Sequence, residues 1–148
     1  MDIDASIDIM CKPEVVFSWI DDPQKAMRWQ KGVKGGEIIR PTPQRTGTTF
    51  KEELEENGKS LMMFGEITHY VHGKSIAFQL ESKIHKVRVH YSVLWDEMKS
   101  TVLVESSVTW KFPVNIICLI SGPKIKSKIK QQVNSELLML KQLCETAT

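Results

Sequence analysis

A chain of 148 residues, 41% apolar and 26% charged, with eight glycines and six prolines, has the size and composition of one globular domain around a single core. That balance excludes disorder, collagen-like repetition and low-complexity linkers. Twenty Lys and Arg against eighteen Asp and Glu leave a net charge of only +2, so a dedicated nucleic-acid surface is not expected.

Residues 2 to 11 alternate strictly, with Ile3, Ala5, Ile7, Ile9 and Cys11 on one face and Asp2, Asp4, Ser6 and Asp8 on the other. This pattern predicts a half-buried strand. Pro13 and Glu14 then suit the first turn of a short helix whose Val16, Phe17 and Ile20 share one face. Asp22-Pro23 repeats the start signal for a second helix, predicted to reach about Lys31 and to be ended by Gly32, Gly35 and Gly36. From residue 37 to 112 the hydrophobic period is two. Asn57-Gly58 is the strongest hairpin signal, and turns are also marked at His72-Gly73, Ser82-Lys83 and 98–100. Strands are predicted at about 35–41, 46–56, 60–71, 75–82, 85–96 and 101–112, an antiparallel meander with one face covered. Residues 114–121 form a short apolar turn or helix. After Gly122-Pro123 a long amphipathic helix follows, with Ile125, Ile129, Val133, Leu137, Leu140 and Cys144 on its inward stripe.

Three scattered cysteines, Cys11, Cys118 and Cys144, form no Cys-x-x-Cys pair, so neither a disulfide framework nor a zinc knuckle is expected. The acidic start Met1-Asp2-Ile3-Asp4 does not read as a secretory leader. The apolar run from Val114 to Ile120 is too short to span a bilayer. The expectation is a reduced, cytoplasmic domain covering 1–148.

This order of elements resembles the helix-grip fold of the START-related, polyketide cyclase-like (SRPBCC) superfamily. The resemblance is carried by Ile7-Asp8-Ile9-x-x-Lys12-Pro13-Glu14-Val15-Val16-Phe17, then Asp22 and Trp29, Gly47, Gly65-Glu66-Ile67-Thr68 and the closing Leu137-x-x-Leu140-Lys141-x-x-Cys144-Glu145. It implies an α+β fold in which a seven-stranded curved antiparallel sheet wraps a long C-terminal helix. It also implies a cavity between them for a small apolar or amphipathic molecule. Plant members carry a glycine-rich loop between the second and third strands. Here that stretch is Arg40-Pro41-Thr42-Pro43-Gln44-Arg45-Thr46-Gly47, and no phosphate role is carried over.

Strand parity puts Phe50, Ile67, Phe78, Leu80, Val89, Tyr91, Trp95, Val104 and Trp110 on the covered face. With Trp29, Ser106 and the helical Ile129 and Val133, these supply the candidate ligand contacts; solid core is the plain alternative. The same parity turns Glu52, His69, His85 and Ser106 inward. Glu52 with His69 or His85 would form the acid–base pair of a cyclase or dehydratase. No nucleophile motif, phosphate loop or metal-ligand spacing is present, and no cofactor or metal is expected. Lys111, Lys124, Lys126, Lys128 and Lys130 lie in a stretch free of acid from 111 to 135. The last four, placed in the first turns of the long helix beside Ile116-Ile117-Cys118-Leu119-Ile120, would meet an anionic lipid, a membrane surface or an acidic partner; a solvated face is the alternative. The leading expectation is binding of a small hydrophobic ligand, lipid or polyketide-like, without covalent chemistry. The alternatives are a cyclase or dehydratase, and a partner-binding protein using the basic helix start.

Overall fold

The opening alternation becomes β1 (Asp2–Ile9), with Ile3 and Ile9 buried and Asp2, Asp4 and Asp8 in solvent. The computed structural model describes residues 1–56 and 58–146, and the side chains of these except at 56 and 117–120. Helix α1 (Pro13–Asp21) has proline in its first turn and buries Val16, Phe17, Trp19 and Ile20. Helix α2 (Pro23–Ala26) is capped by Asp22, whose Oδ1 accepts the Gln24 N–H at 2.9 Å.

α2 ends at Ala26, one turn after it begins, and not near Lys31 as the sequence suggests. The chain turns there so that Trp29 can be buried, its Nε1–H donating to Trp19 O at 2.8 Å. One tertiary hydrogen bond on a large buried ring outweighs the weak propensity to continue a helix. Gly35 and Gly36 lie inside the next strand and do not end a helix.

Strands β2 (Val33–Arg40), β3 (Thr49–Glu56), β4 (Lys59–Val71), β5 (Ser75–Glu81), β6 (His85–Trp95) and β7 (Ser100–Trp110) pair antiparallel in chain order, and β1 joins the far side of β7. The sheet order is therefore β1-β7-β6-β5-β4-β3-β2, with β1 and β2 at its edges. Gly58 has φ +77°, as the β3–β4 hairpin requires; Asn57 lies outside the described residues.

Helix α3 (Val114–Thr146) is continuous. The restart expected at Gly122-Pro123 does not occur, because proline already holds a helical φ and its missing N–H forfeits a single bond inside a 33-residue element. α3 lies mainly along β1, with smaller contacts to β7 and α1. Leu137, Leu140 and Cys144 are fully buried against them, whereas Ile125, Ile129 and Val133 are half-buried. Burial of each leucine contributes about 1.5–3 kcal/mol. Lys141 Nζ donates to Asp8 O at 2.9 Å and to Glu145 Oε2 at 2.7 Å, and Met10 N–H donates to Glu145 Oε2 at 3.2 Å, which together pin the helix end to β1. The core thus gathers at the α1 end of the sheet. Toward the start of α3 the inner face is less tightly filled.

Candidate functional site

Cross-strand register settles which side chains share the inner face. Phe50 stands opposite Gly65, Ile67 opposite Phe78, Phe78 opposite Val89, and Tyr91 opposite Val104. Gly65 has a steric reason to lack a side chain. A Cβ there would lie 2.6 and 2.9 Å from ring carbons of Phe50, which packs over it. Phe50 and Phe78 meet edge to face at 5.8 Å, Phe78 and Tyr91 at 6.2 Å, and Tyr91 meets Trp29 at 5.8 Å.

Between α2, the β2–β3 edge and the inner faces of β4–β6 is a cavity of about 120 Å³. Phe50, Ile67, Phe78, Leu80, Val89 and Tyr91 form its apolar wall, and Glu52, Gln30, Thr48 and Arg45 bring polar groups to it. Phe78 and Val89 also border a wide cleft of about 1260 Å³. That cleft takes in Ala5, Val104 and Ser106, with Lys130 and Asn134 of α3, but also outward residues such as Asp4 and Glu105. It is an open region, not an enclosed chamber. A ligand of ordinary drug size needs a few hundred cubic ångströms, so only a ring-sized group fits the enclosed part and anything longer extends toward the cleft.

The remaining predicted contacts fall elsewhere. Trp29 is buried behind Tyr91 and serves the core. Trp95 ends its strand 47% exposed. Trp110 stacks on His85 at 5.0 Å at the opposite end of the sheet. Ser106 faces the cleft, and Ile129 and Val133 are half-buried on α3.

Of the polar candidates, Glu52 points inward, opposite Met63. Burial raises its carboxyl above the ordinary range. His69 does not point inward. A bulge between Ile67 and His69 takes Thr68 out of register, so His69 pairs with Ala77 on the outer face. There its Nε2 lies 3.0 Å from Ser75 Oγ, and its ring meets His90 at 5.6 Å. His85 is occupied by Ser82 Oγ, 2.6 Å from Nδ1, and by the Trp110 ring. β4 and β5 lie between it and Glu52, three strand spacings of about 4.8 Å. The expected Glu–His pair is therefore not assembled.

The partner that Glu52 does have was not anticipated. Glu136 of α3 is raised mainly by burial, with the charge of Glu52 adding to it, and its Oε2 accepts the Lys31 N–H at 3.0 Å. Burial likewise raises the Tyr91 phenol, with the charges of Glu136 and Glu52 acting in the same direction. Glu52 and Tyr91 line the cavity, and Glu136 lies near enough for its charge to act on Tyr91 and for the charge of Glu52 to act on it. The signal for Glu136 was present in the sequence: it falls three residues after Val133 and four before Leu140, on the inward stripe. Carboxyls that keep their protons above the usual range can donate a hydrogen bond or a proton to a bound group.

The lysines at 124, 126, 128 and 130 are exposed. Because α3 begins at Val114, they occupy its third to fifth turns and not its first, so the unfavourable helix-start position expected for them does not arise. Their two-residue spacing places Lys124 and Lys128 on one flank of the inward stripe and Lys126 and Lys130 on the other. Phe112 and Ile116 are exposed, and the side chains of 117–120 lie outside those described. Among the described residues no cluster of three His, Cys, Asp or Glu is arranged to hold a metal, and no helix is long and apolar enough to cross a membrane.

Comparison with known proteins places this geometry. The family described as "Polyketide cyclase / dehydrase and lipid transport" matches residues 1–145. A search of curated proteins finds no match. Solved structures match in fold at low identity. The protein TTHA0849 of Thermus thermophilus aligns with a TM-score of 0.83 and 17% identity over 100% of this chain and 99% of its own. A START superfamily protein from Mycobacterium smegmatis gives 0.82 and 17% over 99% of both chains. The ZhuI aromatase/cyclase from Streptomyces sp. R1128 gives 0.76 and 9% over 98% of this chain and 93% of that one.

Proposed function

We propose that this chain, which belongs to the polyketide cyclase, dehydrase and lipid transport family, binds a small hydrophobic or amphipathic ligand on the inner face of its sheet without covalent chemistry. The ring-sized end of the ligand sits among Phe50, Ile67, Phe78 and Tyr91, and its remainder extends past Val89 toward the open cleft. Burial of apolar surface, at about 25 cal/mol per Å², supplies most of the affinity. The observation that carries the reading is an aromatic-walled cavity with one convergent set of polar groups, Glu52 and Tyr91 with Glu136 nearby.

Native mass spectrometry of the purified protein, followed by extraction, tests this. The expected result is a reproducible extra mass that leaves on denaturation and is missing from a folded Val89→Trp variant, in which the wall is filled. A clean mass for the wild type, together with failure to take up an apolar fluorescent probe, would sink the proposal.

A second reading is favoured by the two raised carboxyls: a cyclase- or dehydratase-type enzyme in which Glu52 donates a proton and Glu136, in place of a histidine, acts beside it. Glu52→Gln distinguishes the two readings. It spares ligand retention in both and abolishes turnover of the extracted ligand only in the second.

A further inference from the structure

The charged side chains around the cavity do not balance. Asp21, Glu37, Arg45, Lys51 and Glu52 line it. Four of these pair off, for Arg45 Nη2 meets the Asp21 carboxylate and Lys51 Nζ lies 3.0 Å from Glu37 Oε1. Glu52 is left over. Among the described residues no cation and no hydrogen-bond donor meets its carboxyl, and burial acts on it with no positive charge opposing. Lys31 acts on Glu136 instead, and Glu136 adds a second carboxyl close by.

The unpaired carboxyl can be reached from the cavity. Its partner across β2 is Gly36, which puts no side chain in front of it. The Glu52 oxygens stay accessible to water, whereas Arg45 Nε is buried behind the wall. Beside Glu52 the cavity is bounded by the rings of Phe50, Phe78 and Tyr91. A buried carboxylate without a counter-ion calls for one, and aromatic rings attract a cation as well.

We propose that the Glu52 carboxylate pairs with an ammonium group of the bound ligand, which makes the preferred ligand a ring-sized primary amine with its ring among Phe50, Phe78 and Tyr91. The inference rests on the reading of this cavity as a ligand site. An anion would meet Glu52 with no free cation of the wall to offset it, and a neutral ring would leave the carboxylate unpaired. An inorganic cation needs several oxygen ligands where the wall offers one carboxylate, and it would leave the aromatic rings without a partner. The ammonium favours the ionised form of Glu52 and so offsets the burial that opposes it.

Benzylamine, an ammonium at neutral pH, and benzyl alcohol, uncharged and nearly equal in shape, are the probes. They are titrated by NMR with detection of the Glu52 side-chain carboxyl carbon. Benzylamine is expected to bind at least about tenfold more tightly, as a hydrogen bond between charged groups provides, and to move that resonance to its ionised position where benzyl alcohol does not. In Glu52→Gln, which keeps the shape and loses the charge, the preference collapses to within about twofold while benzyl alcohol affinity is unchanged. The wild-type resonance gives an answer even if that variant folds poorly. Equal binding of the two probes by the wild type, a preference that survives in Glu52→Gln, or a carboxyl resonance that benzylamine leaves unmoved overturns the pairing and leaves the cavity reading standing. Tighter binding of benzoate than of benzylamine overturns the cationic ligand. Failure of all three probes to bind overturns the cavity reading itself.

Discussion

An acid walled by Phe50, Ile67 and Tyr91 weakens the fold when it ionises, and Glu52 is such an acid. Its folded-state pKa lies above the unfolded value, so between the two the folded state holds the extra proton and stability falls as pH rises. The contribution is favourable at low pH, is lost through and above the ordinary carboxyl range, and is absent from an amide. Glu52→Gln is therefore expected to have a higher Tm than the wild type at pH 7.5, with the gap closing by about pH 4. Thermal melts across that range check it; a variant less stable than the wild type at pH 7.5 would mean that the ionised carboxylate has a compensating partner. Glu52 was legible in the sequence because its strand alternates without interruption from Phe50 to Leu54. His69 was misplaced because a bulge at Thr68 reverses parity, and no glycine or proline marks it. Arg45 was illegible for a different reason. It sits in a turn at φ +71°, in the left-handed region, where sequence would have predicted glycine or asparagine.

At the scale of elements, the strands fell within about three residues of their expected ends, because period two and its turn residues are local signals. The helices were harder. α2 is short for a tertiary reason, the burial of Trp29, that no local pattern contains. α3 runs through Pro123, the residue most expected to stop it. An exposed proline at an interior helical position removes one hydrogen bond and crowds the preceding turn while burying nothing in exchange. Pro123→Ala should therefore stabilise the protein by about 1–3 kcal/mol, seen in urea as a raised midpoint with an unchanged slope. A lowered midpoint would show that the bend or rigidity proline imposes there is needed for α3 to reach β1.

Across the whole molecule, the candidate site lies at the margin of the core that supplies stability: Ile67 and Tyr91 belong to that core, and Phe50, Phe78 and Val89 pack against it. Of the most deeply buried side chains, Phe17, Ile9, Leu137 and Leu140 lie in α1, β1 and the C-terminal half of α3, whereas Trp29 packs on Tyr91 of the cavity wall. The cavity lies against α2 and the β2–β3 edge, where Ile38 and Ile39 remain exposed and the β2 register shifts twice. Along α3 the same division falls within one helix, since Leu137 to Cys144 supply its buried positions while residues 122–132 are at most half-buried. Local opening follows the density of buried apolar contact. Amide exchange should therefore be slowest at 137–144 and in β1, and faster by orders of magnitude at 122–132 and in β2. A bound ligand that bridges α2 and the sheet adds protection where the free protein has least, so its addition should slow β2 and the segment 23–31 while leaving 137–144 unchanged. Uniform protection along α3 would contradict this division, because the packing that holds the helix to β1 would then extend over its whole length.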